Sequence, residues 1–193
     1  MKEMVFLLEE ESAKAFLQTL LPRFLDERIT VRTIAFDGKQ DLEKQLVKRL
    51  QGYINPQARF LVLRDQDSDP DCRKVKKKLV GLCVKAGRGS ESVVRIACRE
   101  LETIYLAVLQ SVAHAYSIES LAGKQHMKKY RAPDVLESPS RELDILTGGA
   151  YQKIAGSRML GRLVNLQNER SPSFKNLISG ICRLEAELLA LPE

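Results

Sequence analysis

The feature that most constrains this chain is the stretch Arg59-Phe60-Leu61-Val62-Leu63-Arg64-Asp65-Gln66-Asp67-Ser68-Asp69-Pro70-Asp71. Its first half is a short, unbroken apolar run, the pattern of a strand covered on both faces. Its second half sets a carboxylate at every other position. Open α/β sheets bind ligands outside the carboxyl ends of their strands, so these acids lie where a site is expected. Like charges this close repel one another unless a cation neutralises them. Mg²⁺ suits the donors, because it takes oxygen ligands, often one or two carboxylates completed by water and phosphate oxygens. The same acids also have a local use, since Asp69 or Asp71 can cap the helix that follows. The stretch alone leaves both readings open.

The pattern around it alternates strand and helix. Met4 to Leu8 is a second buried apolar run, ending at Glu9-Glu10-Glu11. Ala13, Phe16, Leu17, Leu20, Leu21 and Phe24 then share a helical face, with Ser12 as the expected N-cap and Pro22 as the expected kink or end. Ile29 to Phe36 alternates and is β-branched, a further strand. Asp37-Gly38-Lys39 turns into a helix carrying Leu42, Leu46, Val47 and Leu50. A helix runs from about Pro70 or Asp71 to Ala86, with Val75, Leu79, Leu82 and Cys83 inward and Arg73, Lys74, Lys76, Lys77 and Lys78 mostly outward. Ser92 to Cys98 is the fourth strand; it runs into Arg99-Glu100-Leu101-Glu102, and a helix through Ile104 to Leu109 follows.

Strand–helix alternation implies crossovers and a mainly parallel sheet. The carboxyl ends of its strands then lie side by side, so that Glu9, Asp65, Asp67 and either Glu100 or Glu102 can converge. Three acidic strand ends in one parallel sheet are hard to account for as caps. Residues 1–116 form the expected α/β core and 117–193 a helical extension packed on it, with helices over Tyr151 to Leu166 and Phe174 to Leu191. Pro139, Gly148-Gly149 and Pro172 punctuate this part, and Ser171 or Ser173 is the expected cap of its last helix.

Composition excludes several classes. No apolar run reaches the roughly 20 residues of a membrane span, and acids stand where a signal peptide has its apolar region, so a cytoplasmic protein without a membrane partner is expected. Cys72, Cys83, Cys98 and Cys182 share no CxxC spacing and have only His114 and His126 as potential companions, which argues against zinc and for reduced structural thiols. The net charge of +6 divides equally between residues 1–123 and 124–193; counted this way no basic tail stands out, and the balance suits a nucleic-acid or phosphate partner. Aromatic residues make up 6% with no Trp, which disfavours stacking-based recognition of single strands.

Four segments together resemble the Toprim (topoisomerase–primase) superfamily, and within it a small branch often encoded beside an AAA- or ABC-type ATPase and related to the overcoming-lysogenization-defect (OLD) nucleases of phage-defence systems. They are Phe6-Leu-Leu-Glu-Glu-Glu-Ser12, Phe60-Leu-Val-Leu-Arg-Asp-Gln-Asp67, Cys98-Arg-Glu-Leu-Glu-Thr-Ile-Tyr-Leu106 and Arg170-Ser-Pro-Ser-Phe174. The resemblance implies a Toprim-like sheet and a metal-dependent nuclease. It matches Glu9 to the family's acid/base or metal-ligand glutamate, Asp65 and Asp67 to its metal-binding pair, and Glu100 or Glu102 to the acid after the last core strand. Mg²⁺ or Mn²⁺ is the implied cofactor, DNA or RNA the substrate. Lys39, Arg64, Arg99, Lys74 and Lys77 are candidates for neutralising the phosphate backbone. Many Toprim domains carry Gly after the first glutamate; this chain has Glu10, where a close backbone approach would favour glycine. The alternative is a catalytically weak regulatory subunit of an ATPase complex.

Overall fold

A computed structural model describes residues 1–192. Its centre is a four-stranded, all-parallel sheet of β1 (Glu3–Leu8), β2 (Thr30–Ala35), β3 (Ala58–Asp65) and β4 (Ser92–Ala97), in the order β2-β1-β3-β4. The unbroken apolar runs form the two inner strands, where both faces must be covered; every residue of β1 is buried. The alternating run forms β2, an edge strand whose first half is exposed. Leu8 stands opposite both Ala35 and Leu63, and Asp65 opposite Ala97, so the strands end nearly level.

The period-two alternation of the strands builds two cores. Val5, Leu7, Phe60, Val62 and Val94 face α2 (Lys39–Gln51) and α3 (Cys72–Lys85), meeting Leu42, Leu46 and Leu50 of the first and Val75, Leu79 and Cys83 of the second. Met4, Phe6, Leu8, Leu61, Leu63 and Val93 face the opposite side, packed against α1 (Glu11–Leu20) and α9 (Pro172–Leu189). Between them lie α4 (Thr103–Leu106), α5 (Leu109–Tyr116), α6 (Ser120–Lys124), α7 (Pro139–Leu146) and α8 (Lys153–Leu163).

The C-terminal part is therefore half of one layer rather than an appendage. α9 packs on β1, β3 and β4, and α8 lies along α1. That crossing is tight: a Cβ at Gly161 would come 2.5 Å from the carbonyl oxygen of Phe16, and Thr19 Oγ1 donates to the carbonyl of Arg158 at 2.9 Å. Glycine is needed there for backbone-to-backbone approach.

Several boundaries differ from expectation. Glu10, not Ser12, is the N-cap of α1, and Ser12 is buried inside the helix with its hydroxyl donating to Glu10. α1 ends at Leu20, and Pro22 sits in a 3-10 turn over Leu21–Arg23. The helix after β4 is broken into α4 and α5. Pro139 begins α7 instead of interrupting the chain, as proline can at a first helical turn. Two caps agree with expectation: Asp71 caps α3 through the amide of Arg73, and Ser171 caps α9 through the amide of Phe174.

Candidate functional site

The strand order reverses between β1 and β3, since the chain moves from β1 to one side and returns past it to the other. The crevice above such a switch point is the natural ligand position of an open α/β sheet. Glu9 leaves β1 there. Its amide donates to Leu63 (3.2 Å) and its carbonyl accepts from Gly38 (3.0 Å), so the end of β3 and the turn into α2 fix its backbone. Its carboxylate accepts the amide of Asp65 at 3.0 Å. Asp65, the last residue of β3, shares strand parity with Leu61 and Leu63 and so belongs to the α1 side; it is only 8% exposed.

Glu102 joins this side from the turn before α4 and is fully buried. One of its oxygens accepts from the Tyr151 hydroxyl at 2.9 Å, and the other has no hydrogen-bond partner. Burial raises the pKa of Glu9, and the charges of Asp67 and Glu10 add to the effect. Burial, then Glu9, Glu102 and Glu10, hold Asp65 well above the usual carboxylate range. Burial likewise raises Glu102. The charges of Glu9 and Glu102 thus both bear on buried Asp65, and the carboxyl groups resist ionising together.

A lysine closes the cluster. Lys153, at the start of α8, places Nζ 3.0 Å from both carboxylate oxygens of Glu10. Burial works against its charge, yet Glu102, Glu10 and Asp65 outweigh burial and raise its pKa. Glu10 itself has φ −148 and ψ 166, extended backbone open to any residue. Glycine is not required at this point, and the glutamate is accommodated by Ser12 and Lys153.

The remaining sequence-derived residues divide. Asp67 sits at the mouth of the crevice in the left-handed region (φ 55), as does Arg99 (φ 64). The two loops are tied by the Asp67 amide donating to the Arg99 carbonyl at 2.7 Å. The Asp67 carboxylate pairs with Lys39 at 2.9 Å. Of the two alternatives after β4, Glu102 is the one in the cluster; Glu100 accepts the amide of Ser140 in the first turn of α7 and, with Asp67 and Arg99, lines the opening.

Arg64 has the opposite parity to Asp65 and points to the α2–α3 side. It is 3% exposed and paired with Asp69 (2.8 Å), Glu43 (3.1 Å) and, more loosely, Glu9 (3.8 Å). Its guanidinium organises acids instead of standing free for a phosphate. Arg64→Met should therefore cost about 2 kcal/mol in urea unfolding, below the full penalty of a broken buried ion pair because Glu43 and Asp69 keep access to water. Unchanged stability would contradict the organising role. Lys74 and Lys77 are exposed on α3, outside the carboxylate cluster.

The distal Arg170-Ser171-Pro172-Ser173-Phe174 segment is not at the site. Ser171 caps α9. Ser173 accepts the amide of Cys98 (2.9 Å) and donates to Asp134 (2.6 Å). Arg170 donates to the carbonyls of Gln125, Tyr130 and Ala107. The segment fastens the last helix to the end of β4, which is architecture. Conversely Lys153 and Tyr151 carry no sequence signal, since only the packing of α8 on α1 brings them to Glu10 and Glu102.

Among the described residues, no three His, Cys, Asp or Glu side chains are already set as a metal-holding group. The donor chemistry nonetheless fits a hard divalent ion. The donors are all carboxylate oxygens, one buried Glu102 oxygen lacks a partner, and the raised proton affinities are what a cation would relieve. No helix is long and apolar enough to cross a membrane, and the four cysteines are free thiols.

Comparison with known proteins returns no match among curated sequences. Among solved structures, the C-terminal region of the Burkholderia pseudomallei OLD protein is similar, with a TM-score of 0.52 at 15% identity, over 96% of this chain and 98% of that one. The likeness is one of fold, and it agrees at that level with the OLD resemblance of the four segments. A family model described as a domain of unknown function, DUF4276, matches residues 8–182. With most of its length so matched, the chain belongs to the DUF4276 family.

Proposed function

We propose that this protein hydrolyses nucleic-acid phosphodiesters with the help of Mg²⁺ or Mn²⁺ bound at the sheet's carboxyl edge. The observation that carries the reading is the placing of buried Asp65 and Glu102 with half-buried Glu9 at the switch point, each with a raised proton affinity. Such an arrangement costs stability and is explained if a cation normally shares the volume. Glu9, Asp65 and Glu102 would hold the ion, with Asp67 and Glu100 at the mouth. When bound, a divalent ion polarises phosphoryl oxygens and lowers the pKa of its water.

The chain's own groups orient and screen. The Asp65 amide fixes the Glu9 carboxylate, and Tyr151 fixes one oxygen of Glu102. Lys153 holds Glu10 aside and offsets part of the negative charge. Lys39 and Arg99 flank the entrance, where a phosphodiester would approach.

A second reading has its own support. The carboxylates are grouped but not closed on one point, and Lys153 already serves as an internal cation. Both suit a subunit that is silent alone and completed by an ATPase partner. Purified protein incubated with Mg²⁺ or Mn²⁺ should nick plasmid DNA or cut structured RNA, and Glu9→Gln should remove the activity. Cutting that persists undiminished in Glu9→Gln would overturn the catalytic reading. Cutting that appears only when an AAA- or ABC-type ATPase partner is added would favour the second.

A further inference from the structure

Counted by halves of the sequence, the positive charge looks evenly spread; in space it is not. α3 carries six basic residues, Arg73, Lys74, Lys76, Lys77, Lys78 and Lys85, and no acid. The whole chain has a formal net charge of +6. The remainder of the protein therefore sums to zero, and its excess resides on one helix. Val75, Leu79 and Cys83 bury the inner face of α3, and all six cations are exposed. Among the described residues, Lys78 is the one member of the six in an ion pair, with Glu43 at 2.7 Å. Arg73 with Lys77 and Lys74 with Lys78 are like-charge pairs at i and i+4, which weaken a helix, so these cations do not serve the helix's own stability.

The ridge starts at the carboxyl edge. The N-terminus of α3 follows β3, directly after Asp65 and Asp67. Between α2 and α3 a cleft of about 350 Å³ is lined by the cations Lys39, Arg64, Lys74 and Lys78 and by the acids Glu43, Asp69 and Asp71. Its floor holds buried Arg64, which is committed to Glu43 and Asp69 and leaves the exposed lysines to meet a ligand. Lys39 joins the cleft to Asp67. Cations therefore form a track from the mouth of the carboxylate crevice, through Lys39 and the cleft, to Lys74 and Lys78.

We infer that this track binds the phosphate backbone of a nucleic-acid duplex and delivers it to the carboxylate crevice. The inference rests on the nuclease reading for the destination of the strand, and on α3 and the cleft for its path. Length argues for a polymer: a 14-residue helix is about 21 Å long, over which one duplex strand presents about six phosphates. The surroundings argue for a duplex. Among the described residues, the exposed large apolar side chains are Met, Val and Ile, with no Phe or Tyr among them, which disfavours stacking of unpaired bases. Recognition through phosphates alone carries no sequence information.

Binding is measured by fluorescence anisotropy in EDTA, where cleavage is off, with duplex DNA, duplex RNA and single strands of about 30 nucleotides, several times the span of α3. The triple variant Lys74→Gln, Lys77→Gln, Lys78→Gln should bind duplex at least about tenfold more weakly at about 100 mM salt, and the slope of log K against log salt should flatten by about 0.9 for each phosphate that is no longer neutralised. Lys175→Gln with Arg183→Gln, on α9, should leave both unchanged. Undiminished affinity and slope in the triple variant, or tighter binding of single strands than of duplex, would overturn the inference. The DNA and RNA arms identify which backbone is preferred. Normal binding by the triple variant, alongside metal-dependent cutting that Glu9→Gln abolishes, would remove this path and leave the nuclease reading intact. Loss of binding in a protein that never cuts would do the reverse.

Discussion

Asp65→Asn should unfold at a higher temperature than the wild type near neutral pH without metal, and yet lose more than about 100-fold of any metal-dependent cleavage, since even groups one shell removed from a metal cost 10–100-fold. The two effects have one origin. Asp65 is buried beside Glu9, Glu102 and Glu10, and its carboxyl is held well above the usual range. An acid whose folded pKa is raised keeps its share of stability at low pH and loses it as pH rises from the ordinary carboxylate range through the folded value. Asn has nearly the same shape and no charge, so that loss disappears; each kcal/mol of relieved repulsion is worth about 2–4 °C at this chain length. Below the ordinary carboxylate range the profile bends the other way. There Glu3, Asp26 and Glu142, whose pKa values are lowered, withdraw stability on protonation. Thermal unfolding across pH, with and without Mn²⁺, reads all of this. Wild type should gain stability with Mn²⁺, by about 2.7 kcal/mol at a hundred times the dissociation constant, and Asp65→Asn should not. Equal melting temperatures together with a retained Mn²⁺ shift would sink the assignment of Asp65.

A chain ending after Tyr116 should fail to fold, although it contains every strand and every acid of the cluster. Without α9 the face of the sheet bearing Met4, Phe6, Leu61 and Val93 keeps only α1 and the short α4 and α5 on its side. The buried side chains Phe174, Leu177, Ile181, Leu184 and Leu188 are the missing half of that core. Within the full chain Phe174→Ala should cost about 3–5 kcal/mol, the range for deleting a large buried ring. Circular dichroism and urea unfolding test both. A soluble 1–116 fragment with a cooperative transition would show instead that the core and the helical extension are separable.

What can be read from the residues follows from what is local. The two inner strands are legible because a strand covered on both faces has no polar alternation to obscure it, and Glu9 and Asp65 because acids stand where those runs stop. Period two also separates Arg64 from its neighbour. It is one residue from Asp65 and so faces the other layer, where Glu43 and Asp69 take it up. The order of the strands has no local signature. Lys153 and Tyr151 stand in a polar stretch broken by Gly148-Gly149, and they reach Glu10 and Glu102 only through the Gly161 approach of α8 to α1. Pro139 and Pro172 look like interruptions in the sequence, whereas each opens a helix. The charge of α3 is hidden by averaging along the chain, which mixes neighbours in sequence that are not neighbours in space.

The seating of α9 on β1 has a consequence for how the molecule comes into being. The helix begins more than 160 residues after the strand ends, and Lys2 reaches the carbonyl of Leu189 at 3.1 Å. Contacts so distant along the chain form late, because their loop entropy is repaid only at closure. A growing polypeptide on the ribosome holds Glu9, Asp65 and Glu102 long before it holds the helix that covers the sheet beneath them. Until then it displays an apolar surface of the kind that chaperones shield. Synthesis of α9, and not the appearance of the acidic residues, therefore sets the moment from which the covered sheet beneath the site can exist.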